Sequence, residues 1–329
     1  MSEPCHQVTE GKYDYEGNGL LFDFPKMEIT KPIRLIELFG GIGSQAMALR
    51  DIGADFEHYR LVEWDKYAVQ SYNAIHNTNF ETADICKVKG SDLGIVDKDK
   101  FTYLLTYSFP CTDLSVAGKM QGMSKSDWEN GESTRSGLLW EVERILKELP
   151  KEQLPDVLVM ENVPQIHADQ NMADFENWQK FLRSIGYQNH WQDLNAKDYG
   201  IPQNRERCFM ISVLSDDYIE YEFPQPVPLT TVMKDFLEEQ VDEKYYINNE
   251  KADKLIAELI SKGDLNDYQF SKKNVIGASE IKKNIDGKFQ SCSDTSIGEV
   301  DKEIASTICA RDYKGFGRHN FNCAVEKWV

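Results

Sequence analysis

Cys111 ends the tetrapeptide Ser108-Phe109-Pro110-Cys111, which follows Phe101 to Tyr107, a run of β-forming residues that Pro110 brings to a stop. This pattern puts the thiol at the carboxyl end of a strand, where open α/β sheets bind ligands. A lone cysteine in a reducing compartment is most often a small buried hydrophobe. Other residues spaced along the chain argue instead for a nucleophile. Pro155 to Met160 reads as a buried strand delivering Glu161-Asn162-Val163, and Gln203, Arg205 and Arg207 alternate as if on one strand, which would put all three side chains on one face. Two arginines so placed suit an anionic or electron-rich partner.

A second group of residues suits a nucleoside. Ile33 to Phe39 reads as a strand, Gly40-Gly41-Ile42-Gly43 as a turn, and Ser44 to Leu49 as the start of a helix. Such a unit aims backbone N–H groups and the positive helix end at a carboxylate or phosphate, and glycine lets the backbone approach closely. Arg60 to Trp64 reads as a second strand, with Glu63 twenty residues after Gly43. Nucleoside-binding folds place a carboxylate on ribose hydroxyls at that spacing. Trp64 offers a ring to a base, and Asp84, in a third strand ending Thr82-Ala83-Asp84-Ile85, offers an acceptor to an exocyclic amine. Each feature alone is usually structural; their order and spacing carry the reading.

The elements between these groups fill out an α/β chain. Helices are expected over Lys66 to His76, Leu138 to Leu149 and Met172 to Ile185, and a strand near Tyr187 to Trp191. The polar loop from Gly118 to Ser136, which includes Arg135, is long enough to be functional. Residues 1–31 read as an N-terminal extension and 32–222 as the main domain, and the prolines at 224, 226 and 228 mark a junction to a smaller domain over 223–329. A chain of 329 residues accommodates that division.

Seven scattered cysteines without a C-x-x-C pair argue against a disulfide framework and a zinc site, so no metal is expected. The N-terminus lacks signal-peptide regions and no run is apolar enough to span a bilayer, which gives a cytoplasmic expectation with no membrane partner. The net charge of −18 is unusual for a nucleic-acid binder. One window opposes it: residues 270–290 hold Lys272, Lys273, Lys282, Lys283 and Lys288 against Glu280 and Asp286, a local +3. That window is either a contact for phosphates or a solvated face.

In order, Phe39-Gly-Gly-Ile-Gly43, Glu63-Trp64, Asp84-Ile85, Phe109-Pro-Cys111, Glu161-Asn-Val163 and Gln203-Asn-Arg-Glu-Arg207 resemble the motif series of the cytosine-C5 DNA methyltransferases, over roughly residues 33 to 230. The resemblance implies a Rossmann-like S-adenosylmethionine-dependent methyltransferase domain, followed by a smaller target-recognition domain. It implies that Cys111 adds to cytosine C6, that Glu161 contacts N3 and the exocyclic amine, and that Arg205 holds the base carbonyl, supported by Gln203 and Arg207. Phe39 and Trp64 would flank the adenine of the cofactor, Glu63 would hold its ribose, and Asp84 and Ile85 its adenine edge. The Gly40 to Gly43 turn would take its methionine end, Pro110 would border both sites, and S-adenosylhomocysteine would be the product. The implied partner is double-stranded DNA, from which the target base is extruded, with the Gly118 to Ser136 loop as a lid and Arg135 as a phosphate or base contact.

The family's later motifs, an arginine-containing helix and a closing Gly-Asn-Ser helix under the cofactor site, are not visible before Val329. Ile304 to Gly315 looks like the segment that precedes them. The expectation is therefore a chain that stops short and is completed by a second polypeptide. A methyltransferase of a bacterial or phage modification system is the favoured reading. An inactive or partner-dependent DNA-binding relic and a tRNA cytosine methyltransferase are the alternatives.

Overall fold

The computed structural model describes residues 27–111, 113–114, 122–131 and 134–236, together with the backbone of five short strands beyond them. In chain order the main elements are β1 (Ile33–Leu38), α1 (Ser44–Asp51), β2 (Phe56–Val62), α2 (Lys66–His76), β3 (Thr102–Tyr107), α3 (Lys125–Glu129) and α4 (Leu139–Lys147). They continue with β4 (Val157–Asn162), α5 (Asp169–Ser184), β5 (Tyr187–Asn195), β6 (Gln203–Asn204) and β7 (Glu206–Leu214). Six strands form one sheet in the order β2-β1-β3-β4-β7-β5. The first four strands pair in parallel, and β7 runs antiparallel to both β4 and β5.

The central parallel strands are buried on both faces, as covered parallel strands are. Five of six residues of β1 and of β3 are buried. On one face Ile36, Leu38, Leu105, Tyr107, Leu158 and Met160 pack with α4 and α5. The latter helix contributes Phe175, Trp178 and Leu182, the stripe expected of a half-buried helix, and Trp178 Nε1 donates to Tyr107 Oη at 3.1 Å. On the other face Leu35, Leu104 and Val157 meet Ala46 of α1, while Leu61 meets Val69 and Tyr72 of α2. Strand order reverses at β1, which has β2 on one side and β3 on the other. The crevice beyond the carboxyl ends of β1 and β3 is thus the switch point where this architecture holds ligands.

The α/β expectation is met, and the helix over Lys66 to His76 has the expected bounds. Three local readings change. Thr82 to Ile85 is not a strand: one bond, from Ala83 N to Glu63 O at 2.8 Å, aligns it with the chain leaving β2. Asp84 then turns it into a 3-10 helix by accepting from Cys86 N at 3.1 Å. Gln203, Arg205 and Arg207 do not share one strand, because the chain breaks at Arg205 between β6 and β7. Asn195 takes the Arg205 N–H on its side-chain oxygen at 3.1 Å, which removes it from the ladder. The Gly118 to Ser136 loop contains α3, with Ser124 as its cap, accepting from Asp127 N; residues 115–121 and 132–133 lie outside the described residues.

The proline cluster folds back on the main body: Val227 N donates to Asp198 O at 2.8 Å and Tyr199 Oη to Pro224 O at 3.0 Å. Further on come β8 (Phe270–Ile276), β9 (Ile281–Lys283), β10 (Phe289–Ser291), β11 (Ala305–Ser306) and β12 (Ala324–Lys327). Of these, β11 lies parallel to β6, with Ala305 opposite Gln203.

Candidate active site

The glycine turn after β1 is shaped by what lies behind it. Gly43 caps α1 with φ 83°, and a Cβ there would come within 2.3 Å of His76 Nε2 and 2.7 Å of Tyr72 Cε2, so both backbone and space demand glycine. Gly41, at φ 56°, faces the other way, and a Cβ on it would meet nothing within 4 Å. The outer side of the turn is open. Glu63 holds that side in place: one carboxylate oxygen accepts from Gly41 N at 3.0 Å and the other from Asp65 N at 2.9 Å. Asp65 in turn caps α2 by accepting from Tyr67 N and Ala68 N.

Around this cradle Trp64 is 79% exposed and Ile42 46% exposed. Phe39, at φ 57°, is half-buried against the core. Asp84 is split between its cap and Lys87, 3.5 Å away. Ile85 is buried, and its carbonyl accepts from Arg144 at 3.1 Å. Behind the turn, buried Glu37 accepts from Tyr72 Oη at 2.5 Å, and His58 Nδ1 lies 2.7 Å from the same hydroxyl. Burial, opposed by the Tyr72 hydrogen bond, pushes the Glu37 carboxyl up to about 7.

One strand over, Cys111 follows β3 on a segment fixed from three directions. Asn162, 2% exposed at the end of β4, donates from Nδ2 to Phe109 O at 3.0 Å and accepts from Val163 N at 2.9 Å. Ser136 Oγ donates to Pro110 O at 2.7 Å. Asp113 accepts from Arg135 N at 2.7 Å and Ser136 N at 3.3 Å, tying the segment to the start of α4. Gln45 of α1 donates to Ser108 Oγ at 3.2 Å and so links this segment to the glycine turn.

Glu161 meets Arg207 Nε at 3.1 Å and Arg205 at 3.5 Å, both on the same carboxylate oxygen. The strand break therefore does not separate the two arginines: they converge on Glu161 from either side of Glu206. Gln203, two residues earlier, is half-buried in β6. Burial pushes the half-buried Cys111 thiol up, Arg207 and Arg205 draw it down, and Glu161 adds to the rise; the balance is a thiol held above its ordinary value. The arginines are the positive neighbours a reactive cysteine needs, but in this state they do not outweigh burial.

The structure thus brings together Cys111, Glu161, Arg205 and Arg207, and beside them the turn of Gly40 to Gly43 with Glu63. Residue patterns alone missed Asn162, Asp113, Ser136 and Gln45, which position the others. Only Asn162 carried a signal, as the middle of Glu161-Asn162-Val163. The Arg135 backbone is engaged by Asp113, leaving its side chain as the candidate contact. Lys272 and Lys273 fall on β8, Lys282 and Lys283 on β9, and Lys288 lies outside the described residues. No helix among the described residues is long and apolar enough to cross a membrane.

The sequence model of the C-5 cytosine-specific DNA methylases matches residues 33–320. An orphan methyltransferase of Spiroplasma monobiae, M.SssI, is 34% identical over 305 residues, covering 77% of this chain and 74% of the relative. A type II methyltransferase of Lactococcus lactis subsp. cremoris, M2.ScrFI, is 33% identical over 267 residues, covering 67% of this chain and 71% of the relative. Among solved structures, the Entamoeba histolytica methyltransferase EhMeth superposes with a TM-score of 0.54 at 16% identity, covering 88% of this chain and 87% of that one. That likeness supports the methyltransferase fold. The glycine cradle with Glu63 fits the cofactor of that fold, and the match over nearly the whole described chain places the protein in the C-5 cytosine-specific DNA methylase family, as an S-adenosylmethionine-dependent DNA cytosine-C5 methyltransferase.

Proposed function

We propose that the protein methylates C5 of a cytosine flipped out of a specific site in double-stranded DNA, through a covalent adduct with Cys111. The convergence of Glu161, Arg205 and Arg207 beside Cys111, one strand from the open glycine turn, carries this reading. S-adenosylmethionine supplies an electrophilic methyl group on a positive sulfur. Phe39 and Trp64 would enclose its adenine, Glu63 would accept from its ribose hydroxyls, and Asp84 and Ile85 would meet the adenine edge. The turn of Gly40, Gly41, Ile42 and Gly43 would take its amino-acid end.

The protein's own groups then account for activation of the base. The Cys111 thiolate forms a bond to C6, and the electron pair displaced from the ring's double bond makes C5 nucleophilic. Glu161 at N3 and the exocyclic amine stabilises the charge that this addition creates, and Arg205 holds the carbonyl oxygen. Arg207 and Gln203 keep Glu161 and Arg205 in place, and Pro110 orients the thiol. After the methyl group is on C5, loss of the C5 proton and departure of the Cys111 thiolate restore the ring.

Base extrusion follows from the burial of C5 and C6 within a duplex, with the Gly118 to Ser136 segment closing over the extruded base and Arg135 contacting phosphate. Residues 32–222 would form the catalytic domain and 223–329 the target-recognition domain, working in the cytoplasm. Ile42, Trp64 and Tyr67 present apolar surface around the cofactor cradle, which suits a covering segment from a second polypeptide or elsewhere in this chain. The test is transfer of labelled methyl from S-adenosylmethionine to duplex DNA and to tRNA. Label in 5-methylcytosine of DNA supports the reading; label only in tRNA, or in neither with cofactor bound, overturns it.

A further inference from the structure

We propose that His167, Asp193 and Cys208 form a binding site for a thiophilic divalent cation of the zinc class. The three residues come from three elements: the 3-10 turn Pro164–His167 after β4, strand β5 and strand β7. Their candidate ligand atoms all lie within 4.8 Å of one another. A tetrahedral zinc ion with bonds of about 2.0–2.3 Å holds its ligands roughly 3.3–3.8 Å apart, so small side-chain adjustments would bring the three into range. The set of one imidazole, one carboxylate and one thiolate matches the borderline-soft preference of zinc.

The sheet itself makes this juxtaposition. Cys208 is opposite Asp193 on β5 and opposite Asn162 on β4, so strand register fixes two of the three ligands. His167 Nε2 lies 2.9 and 3.1 Å from the two Asp193 oxygens, and its ring is held against Trp191 at a centroid distance of 4.8 Å. The Cys208 thiol, fully buried at the edge of the apolar core, hydrogen-bonds the same Asp193 carboxylate, so imidazole, carboxylate and thiol already meet at one point. Cys208 is too enclosed to serve as a nucleophile. Glu206, two residues before Cys208 on β7, or a water would supply the fourth ligand.

On binding, the thiol and the imidazole–carboxylate pair give up their protons to solvent and bond the cation. The site would pin the turn after β4 to β5 and β7 next to Arg207, which holds Glu161. It would therefore brace the base-binding carboxylate without touching the reaction.

The test is a cobalt(II) titration of the full chain, followed by absorption spectroscopy. One equivalent should bind with a thiolate-to-cobalt charge-transfer band and intense tetrahedral visible bands. Cys111→Ser should keep both, Cys208→Ser should lose the charge-transfer band, and His167→Gln and Asp193→Asn should weaken binding by about 100-fold or more. The latter two variants keep the buried thiol, so they decide the matter if Cys208→Ser does not fold. Survival of the band in Cys208→Ser, its loss in Cys111→Ser, undiminished binding in both His167→Gln and Asp193→Asn, or no binding at millimolar cobalt would overturn the proposal.

Discussion

Replacing Asn162 by alanine isolates the link between the two catalytic segments. In the native chain its amide spans from Phe109 O, two residues before Cys111, to Val163 N, two residues after Glu161. The side chain is 2% exposed, so truncation leaves a carbonyl and an N–H unpaired where water has little access. Each such group costs about 1–3 kcal/mol, giving about 2–6 kcal/mol together. For a protein of this size the expected fall in Tm is roughly 3–9 °C. Catalysis should suffer separately, because a misplacement of about 1 Å between reacting groups can cost about 100-fold in rate. Thermal unfolding reads the first effect, and single-turnover methyl transfer well below Tm reads the second. Cofactor affinity, set at the glycine turn, should change little. A lower Tm with an unchanged transfer rate would refute the idea that Asn162 aligns Cys111 with Glu161; an unchanged Tm would refute the bonding itself.

Glu63→Ala should weaken S-adenosylmethionine binding by about 1.5–3 kcal/mol, the value of hydrogen bonds to a charged group, and calorimetry showing native affinity would restrict Glu63 to its bonds with Gly41 and Asp65. Because burial raises the Glu37 carboxyl from 4.5 to about 7, the folded state holds its proton longer than the unfolded chain, and stability is lost as pH rises through that interval. Urea unfolding of Glu37→Gln should lack this loss, gaining up to about 3 kcal/mol on the native protein between pH 4.5 and pH 8; parallel pH profiles for the two proteins would show that Glu37 does not titrate there. Replacing Lys272, Lys273, Lys282 and Lys283 together should flatten the salt dependence of DNA binding, by about 0.9 in slope per lost phosphate contact, and an unchanged slope would make the lysine window a solvated face.

Much of the sheet was legible because its central strands are continuous apolar runs ending in distinctive residues: Ile33 to Phe39 before the glycine turn, Pro155 to Met160 before Glu161. The capped helix Lys66–His76 was legible too, since Asp65 and Asn77 terminate it with local chemistry. Misreadings arose where one side chain redirects the backbone. Asp84 caps a 3-10 turn in place of a strand, and Asn195 takes the Arg205 N–H out of the ladder. Neither event leaves a periodic trace. Cys111, Glu161 and Arg205 were legible as motif residues, whereas Ser136, Asp113 and Gln45 act through long-range hydrogen bonds to a neighbouring segment, and no local pattern announces those. The opposing influences on Cys111 also required the structure, because burial and Glu161 are set by tertiary packing.

The covalent role of Cys111 is tested most directly with a DNA duplex carrying 5-fluorocytosine at the methylated site. Fluorine cannot leave C5 as a proton does, so the adduct should persist, and with S-adenosylmethionine present the native protein should form a denaturant-stable complex with the DNA. Peptide mapping should place the link at Cys111, and Cys111→Ser should form no complex and transfer no methyl group. A link at another residue, or turnover retained by Cys111→Ser, would contradict the assignment.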